Sequence, residues 1–282
     1  MSIDSHQHFW QVGAFDYPWM TPELGILYRD YLPTALEPLL QRRGVTKTVV
    51  VQASNSIAET RWLLELADRH SFIAGVVGWV DLKGDADREL DELTKHPRFK
   101  GVRHLVESEP DDAWLAQPEV LHGLRALAGK GLTYDLLVHT RHLPYAGRVV
   151  EQCPELNFVI DHLAKPPISR GETTEWASEF RKLAKLPNVW CKLSGLVTEA
   201  DWHNWSPQDL KPFVEVALEC FGPQRLMFGS DWPVCLLAAE YDRVLDAMQM
   251  LLSELSEDER KLIFAGNAMD FYRLEDDIRS AV

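Results

Sequence analysis

Eight short apolar runs alternate along the chain with segments of helical period, and few folds can accommodate that pattern. The runs cover residues 3–8, 48–52, 72–79, 99–105, 132–138, 157–162, 189–194 and 225–230. Several hold consecutive apolar residues, as in Val49-Val50-Val51 and Phe158-Val159-Ile160, the pattern of a strand covered on both faces. Between the runs, Leu210, Phe213, Val214, Ala217, Leu218 and Phe221 form a stripe at helical spacing, and Val244, Ala247, Met248, Leu251, Leu252 and Leu255 form another. Gly44 and Gly131 stand where helices end, while Pro187-Asn188 and Gly222-Pro223 turn the chain toward a strand. Eight β/α units without a long linker predict a closed (β/α)8 TIM barrel, one domain over residues 1–282. An open doubly wound sheet would need a glycine-rich phosphate loop after its first strand, and none is present.

Bulk properties narrow the partners. A chain of 282 residues has the ordinary length of one such barrel, which takes about 250. The net charge of −14 argues against nucleic acid, whose phosphates require a basic surface. Cys153, Cys191, Cys220 and Cys235 lack metal-type spacing and are too few for a disulfide scaffold, so reduced thiols are expected. No apolar run approaches the roughly 20 residues of a membrane helix, and the N-terminus lacks a secretory apolar region. A cytoplasmic protein with a small-molecule partner is the expectation.

Chemistry concentrates at the predicted strand ends. In a strand, residues i and i+2 share a face, so His6 and His8 both point into the barrel at the C-terminal end of the first strand. Two imidazoles there suit a divalent metal or a polarised carbonyl. Asp231 ends the eighth strand, which barrel closure places beside the first. An Asp after a strand is often a helix N-cap, but the histidine pair across the seam favours a functional role. His162 ends the sixth strand and adds a fourth polar group. The stretch 10–32, with Phe15, Tyr17, Trp19 and Tyr28, forms a long first βα loop, either a substrate wall or a cover packed on the barrel end.

His6-Gln7-His8, Ile160-Asp161-His162, Lys192-Leu193-Ser194-Gly195 and Phe228-Gly229-Ser230-Asp231-Trp232-Pro233 together resemble the amidohydrolase superfamily, in its amidohydrolase-2 branch of sugar lactonases and pyrone-dicarboxylate lactonases. The terminal stretch 265–272 resembles that branch's last helix, and 100–104 and 134–138 look most like the L-fuconolactone and L-rhamnonolactone hydrolases. The resemblance implies hydrolysis of a sugar lactone, with Asp231 as general base and His6, His8 and His162 polarising the carbonyl. Binuclear members of the superfamily end their fourth strand with a carboxylated lysine, whereas Arg103-His104 stands here, and a guanidinium cannot take that part. The expectation is one divalent metal, zinc first among candidates, held by His6, His8 and Asp231, or no metal at all. His139 falls just beyond the fifth strand.

Arg103, His104, Asp135 and Lys192 are candidate substrate contacts, with ionic pairing between strands as the alternative. Trp202 and Trp205 either stack on a sugar face or cap the barrel. A metal-dependent decarboxylase on the same scaffold and a non-catalytic sugar-acid binder are the competing functions. His70, His96, His122 and His203 fall in predicted helices or loops and are expected to be solvated.

Overall fold

The computed structural model describes residues 2–274 and contains an eight-stranded parallel sheet in the order β1 to β8. The strands are β1 Ile3–Gln7, β2 Lys47–Val51, β3 Ile73–Gly78, β4 Phe99–His104, β5 Thr133–Leu136, β6 Asn157–Ile160, β7 Val189–Leu193 and β8 Leu226–Phe228. Each lies within a few residues of its expected run. The first apolar stripe falls on helix Pro207–Phe221; the second falls on helix Tyr241–Leu251 except for Leu252 and Leu255, which lie in the turn after it. Gly44 caps helix Pro33–Arg43 in the left-handed conformation that glycine enters without penalty.

Closure of the barrel runs through the residues that also carry the site. The Asp231 amide donates to the His6 carbonyl at 2.8 Å, and the His8 amide to that of Trp232 at 2.7 Å. Buried Asp4 accepts from the Ser230 amide at 2.8 Å and from the Tyr241 hydroxyl at 3.2 Å, tying β1 to the seam. Register slips between Asp4 and Gln7. Ile3 and the two histidines would otherwise face opposite sides, and the bulge lets Ile3 join the barrel core while His6 and His8 still point inward.

The barrel interior has two layers. Ile3, Val49, Val51, Val77, Val159 and Met227 fill the lower one, closed by Phe271, Tyr272 and Leu274 from the end of the described chain. Above them lie Arg103, Asp135, Asp161 and Lys192, all buried. No helix of the described residues is long and apolar enough to cross a membrane, and the four cysteines are free thiols.

One buried carboxylate shapes the rim. Glu59, in the first turn of helix Ile57–Arg69, accepts from the Ala53 and Ser54 amides at 3.0 and 2.9 Å and so fixes the loop after β2. The Trp19 indole donates to the Ala53 carbonyl at 2.7 Å, joining the long first loop to the same turn. Burial pushes the Glu59 carboxyl up to about 7, against 4.5 for a free side chain. A folded-state value raised in this way stabilises most below pH 4.5, and the contribution is lost as pH rises through 7. Glu59→Gln should therefore flatten the decline of stability between pH 5 and 8, by up to about 3 kcal/mol. Urea unfolding of both proteins across that range checks it; parallel curves would overturn it.

Candidate active site

His6, His8, His162 and Asp231 meet at the C-terminal end of the barrel, as the sequence led us to expect. His6 Nε2 lies 3.2 Å from His8 Nε2, and Asp231 Oδ1 lies 3.3 Å from His8 Nε2 and 3.7 Å from His6 Nε2. His162 Nε2 is 3.8 Å from the same oxygen. Asp231 occupies a left-handed backbone conformation, φ 58°, which aims its carboxylate at the histidines instead of capping the following turn.

His162 reaches the site by an unusual route. Residues His162, Leu163, Ala164 and Lys165 all have positive φ, between 50° and 61°. Left-handed backbone costs L-residues roughly 1–2 kcal/mol each, so the surrounding contacts must hold this turn in place. A three-residue turn returns His162 and Lys165 to one side, and both line the cavity. The Ser194 hydroxyl fixes the His162 ring through Nδ1 at 2.9 Å. Gly195, φ 64°, passes so near that ring that a Cβ would stand 2.5 Å from Nδ1. Only glycine fits there.

Protonation follows from second partners. His8 Nδ1 sits 2.7 Å from the Val51 carbonyl oxygen, an acceptor only, so Nδ1 carries a proton. In the neutral ring Nε2 is then a bare acceptor facing the Asp231 carboxylate. Burial works against the Asp231 charge, yet the imidazoles of His162, His8 and His6 hold its carboxyl well below the usual range. Converging acceptors repel unless a cation or a proton lies between them. Tetrahedral zinc with bonds of 2.0–2.1 Å spaces its ligands about 3.4 Å apart. The observed separations of 3.2, 3.3 and 3.7 Å for His6, His8 and Asp231 fit that spacing. His6, Asp161 and His162 make a second cluster of metal-ligand type sharing one histidine.

Beneath the histidines lies a buried ionic lattice. Lys192 Nζ contacts Asp135 at 2.5 Å, Asp161 at 3.0 Å and His6 Nδ1 at 3.1 Å. Arg103 pairs with Asp161 at 3.1 Å and donates to the Gln52 carbonyl. The Tyr272 hydroxyl donates to Asp135 at 2.8 Å. Burial raises the Asp135 carboxyl to about 6, whereas Lys192, His6 and Arg103 outweigh burial at Asp161 and lower it.

Not every expected contact reaches the cavity. Asp135 and Lys192 are fully buried below it, and the ionic alternative describes them. His104 lies outside the cavity: it accepts from the Trp79 indole at 3.0 Å, pairs with Glu109 and stacks on Trp114. Trp205 caps the barrel, its indole donating to the Ala238 carbonyl. Arg103 and Trp202 do line the cavity, which holds about 250 Å³. Trp10 and Trp19 from the first loop form part of its wall. Sequence reasoning missed Glu107, Lys165 and Glu199, which sit on or beside single short helical turns beyond the strands and carry no strand-end signal.

The family model described as amidohydrolase matches residues 3–274. The chain belongs to this amidohydrolase family. It is 43% identical over 280 residues to an L-fucono-1,5-lactonase of Burkholderia ambifaria, covering 97% of this chain and 96% of the relative. It is 26% identical over 199 residues to an L-rhamnono-gamma-lactonase of Scheffersomyces stipitis, covering 62% and 59%. A solved amidohydrolase of Burkholderia multivorans with bound zinc superposes with a TM-score of 0.93 at 41% identity, over 98% of this chain and all of the other.

Proposed function

We propose that this chain, as one barrel domain, hydrolyses a neutral sugar lactone of the L-fuconolactone type to the open sugar acid. The carrying observation is the Asp231 carboxylate, which lies 3.7, 3.3 and 3.8 Å from the Nε2 atoms of His6, His8 and His162 at the floor of a cavity sized for one sugar ring. The named activity of the Burkholderia ambifaria relative supports the substrate class. Charge in the cavity supports neutrality: Arg103 is paired with Asp161 and Lys165 with Glu107, leaving no free cation among the described lining residues for a dicarboxylate.

Asp231 takes a proton from the water that attacks the carbonyl carbon. A carboxylate held so low is a weak base, so proton transfer must accompany C–O bond formation or follow acidification of the water. N–H groups of the His6 and His162 rings, and of Arg103 while it keeps its pair with Asp161, can donate to the developing oxyanion. Collapse of the tetrahedral adduct breaks the bond to the ring oxygen, and Asp231 returns its proton there. The product acid then ionises and releases one proton to solvent. Zinc bound by His6, His8 and Asp231 would supply a Lewis acid and a more acidic water.

Proton release on a panel of sugar lactones tests the reading, run before and after chelation, with metal content measured alongside. Opening of a neutral aldonolactone is expected. Inertness toward all lactones, or carbon dioxide release from an aromatic acid, would overturn it. If a metal completes the site, stripping it lowers kcat and addition of zinc restores it.

A further inference from the structure

Glu199 is the anomaly of the cavity. It ends the short helix Leu196–Glu199, lines the cavity, and makes no hydrogen bond or ion pair among the described residues. Its neighbours are charged: Lys165 attracts it, while Glu107 and Asp231 repel it. Lys165 Nζ is already bound to Glu107 at 2.5 Å. Its carboxylate opens onto the cavity with no protein donor engaged, which leaves its oxygens free to accept hydrogen bonds from a ligand bound there. Beside it, Trp202 is 41% exposed yet held in place by its indole bond to the Thr198 carbonyl at 2.8 Å, so its ring faces the cavity as a fixed apolar plate.

An acceptor-only group next to a rigid aromatic plate matches a polyol: hydroxyls donate to the carboxylate while the C–H face of the ring rests on the indole. Resting on the lactonase reading, we propose that Glu199, set by the Lys165–Glu107 pair and Trp202, reads the ring hydroxyls of the substrate and determines specificity for polyhydroxylated lactones. The left-handed turn gives this arrangement its logic, since one strained segment places both His162 at the reacting centre and Lys165 at the hydroxyl wall. Glu199 itself follows Gly195, whose close approach to His162 fixes where this helix begins.

The test compares Glu199→Ala and Glu199→Gln with the parent on two δ-lactones, one polyhydroxylated and one unsubstituted. Hydrogen bonds to a charged group predict that Glu199→Ala loses about 10- to 100-fold in kcat/KM on the polyhydroxylated lactone, mainly in KM. The loss on the unsubstituted lactone should be at least tenfold smaller, and Glu199→Gln should recover part of the deficit. Equal losses on both lactones, or none on either, overturn the proposal. Calorimetric binding of a neutral tetrahydropyran polyol, which has no bond to hydrolyse, provides an arm independent of turnover. If the parent opens no lactone, the lactonase reading fails, while polyol binding weakened by Glu199→Ala would still uphold the hydroxyl wall, and unchanged binding would overturn it.

Discussion

Asp231→Asn should lower kcat on the preferred lactone by about 10³-fold or more, with the barrel intact. General acid–base catalysis contributes about 10²–10⁴-fold, and this residue serves both proton transfers. Asparagine is the informative replacement because it keeps the shape and tolerates the left-handed backbone at this position better than most residues. The seam would survive, since the Asp231 amide bond to the His6 carbonyl is a main-chain contact. Removing the negative charge also relieves its attraction for the surrounding imidazoles, so affinity for a divalent cation should fall in parallel. Initial rates by proton release, circular dichroism and zinc titration check the three parts. Near-normal turnover would remove Asp231 from the mechanism, and a collapsed fold would reassign it to structure.

Some site residues are readable in the sequence and others hidden, for physical reasons. His6, His8, His162 and Asp231 could be placed because strand periodicity and barrel closure fix where strand ends lie, independent of side-chain detail. Even here a compensating irregularity escaped notice: alternation carried back from His6 puts Ile3 on the outer face, and the bulge returns it to the core. His104 illustrates the limit. It sits one residue beyond Arg103 on β4, so pleat parity sends it outward to Trp114 while Arg103 points in. Asp135 and Lys192 point inward as expected but lie too deep, because how far along a strand the cavity begins depends on how neighbouring side chains fill the axis. Glu107, Lys165 and Glu199 were invisible because helical turns this short are too brief to show a period, and a run of positive φ in non-glycine residues leaves no mark on composition.

Lys192→Met should be the most destabilising single change in the barrel, by about 3–5 kcal/mol. At roughly 2–4 °C per kcal/mol for a domain of this size, Tm would fall by about 10 °C. The cost comes from what the lysine leaves behind. Asp161 keeps Arg103 at 3.1 Å, but Asp135 keeps only the Tyr272 hydroxyl at 2.8 Å. With burial already raising Asp135 to about 6, loss of the adjacent ammonium raises it further, and the carboxyl takes up a proton on folding near neutral pH. A carboxyl whose folded value is raised stabilises at low pH and loses that contribution as pH climbs through the folded value. The Lys192→Met defect should accordingly be smaller at pH 5 than at pH 8. Adding Asp135→Asn should recover part of the lost stability at pH 8 and little at pH 5. Activity need not return with it, because Lys192 Nζ also lies 3.1 Å from His6 Nδ1 and helps fix the ring on which the site is built. A double variant no more stable than Lys192→Met at pH 8 would show that Lys192 holds the barrel by packing, and that the ionic lattice beneath the histidines is not what fixes them.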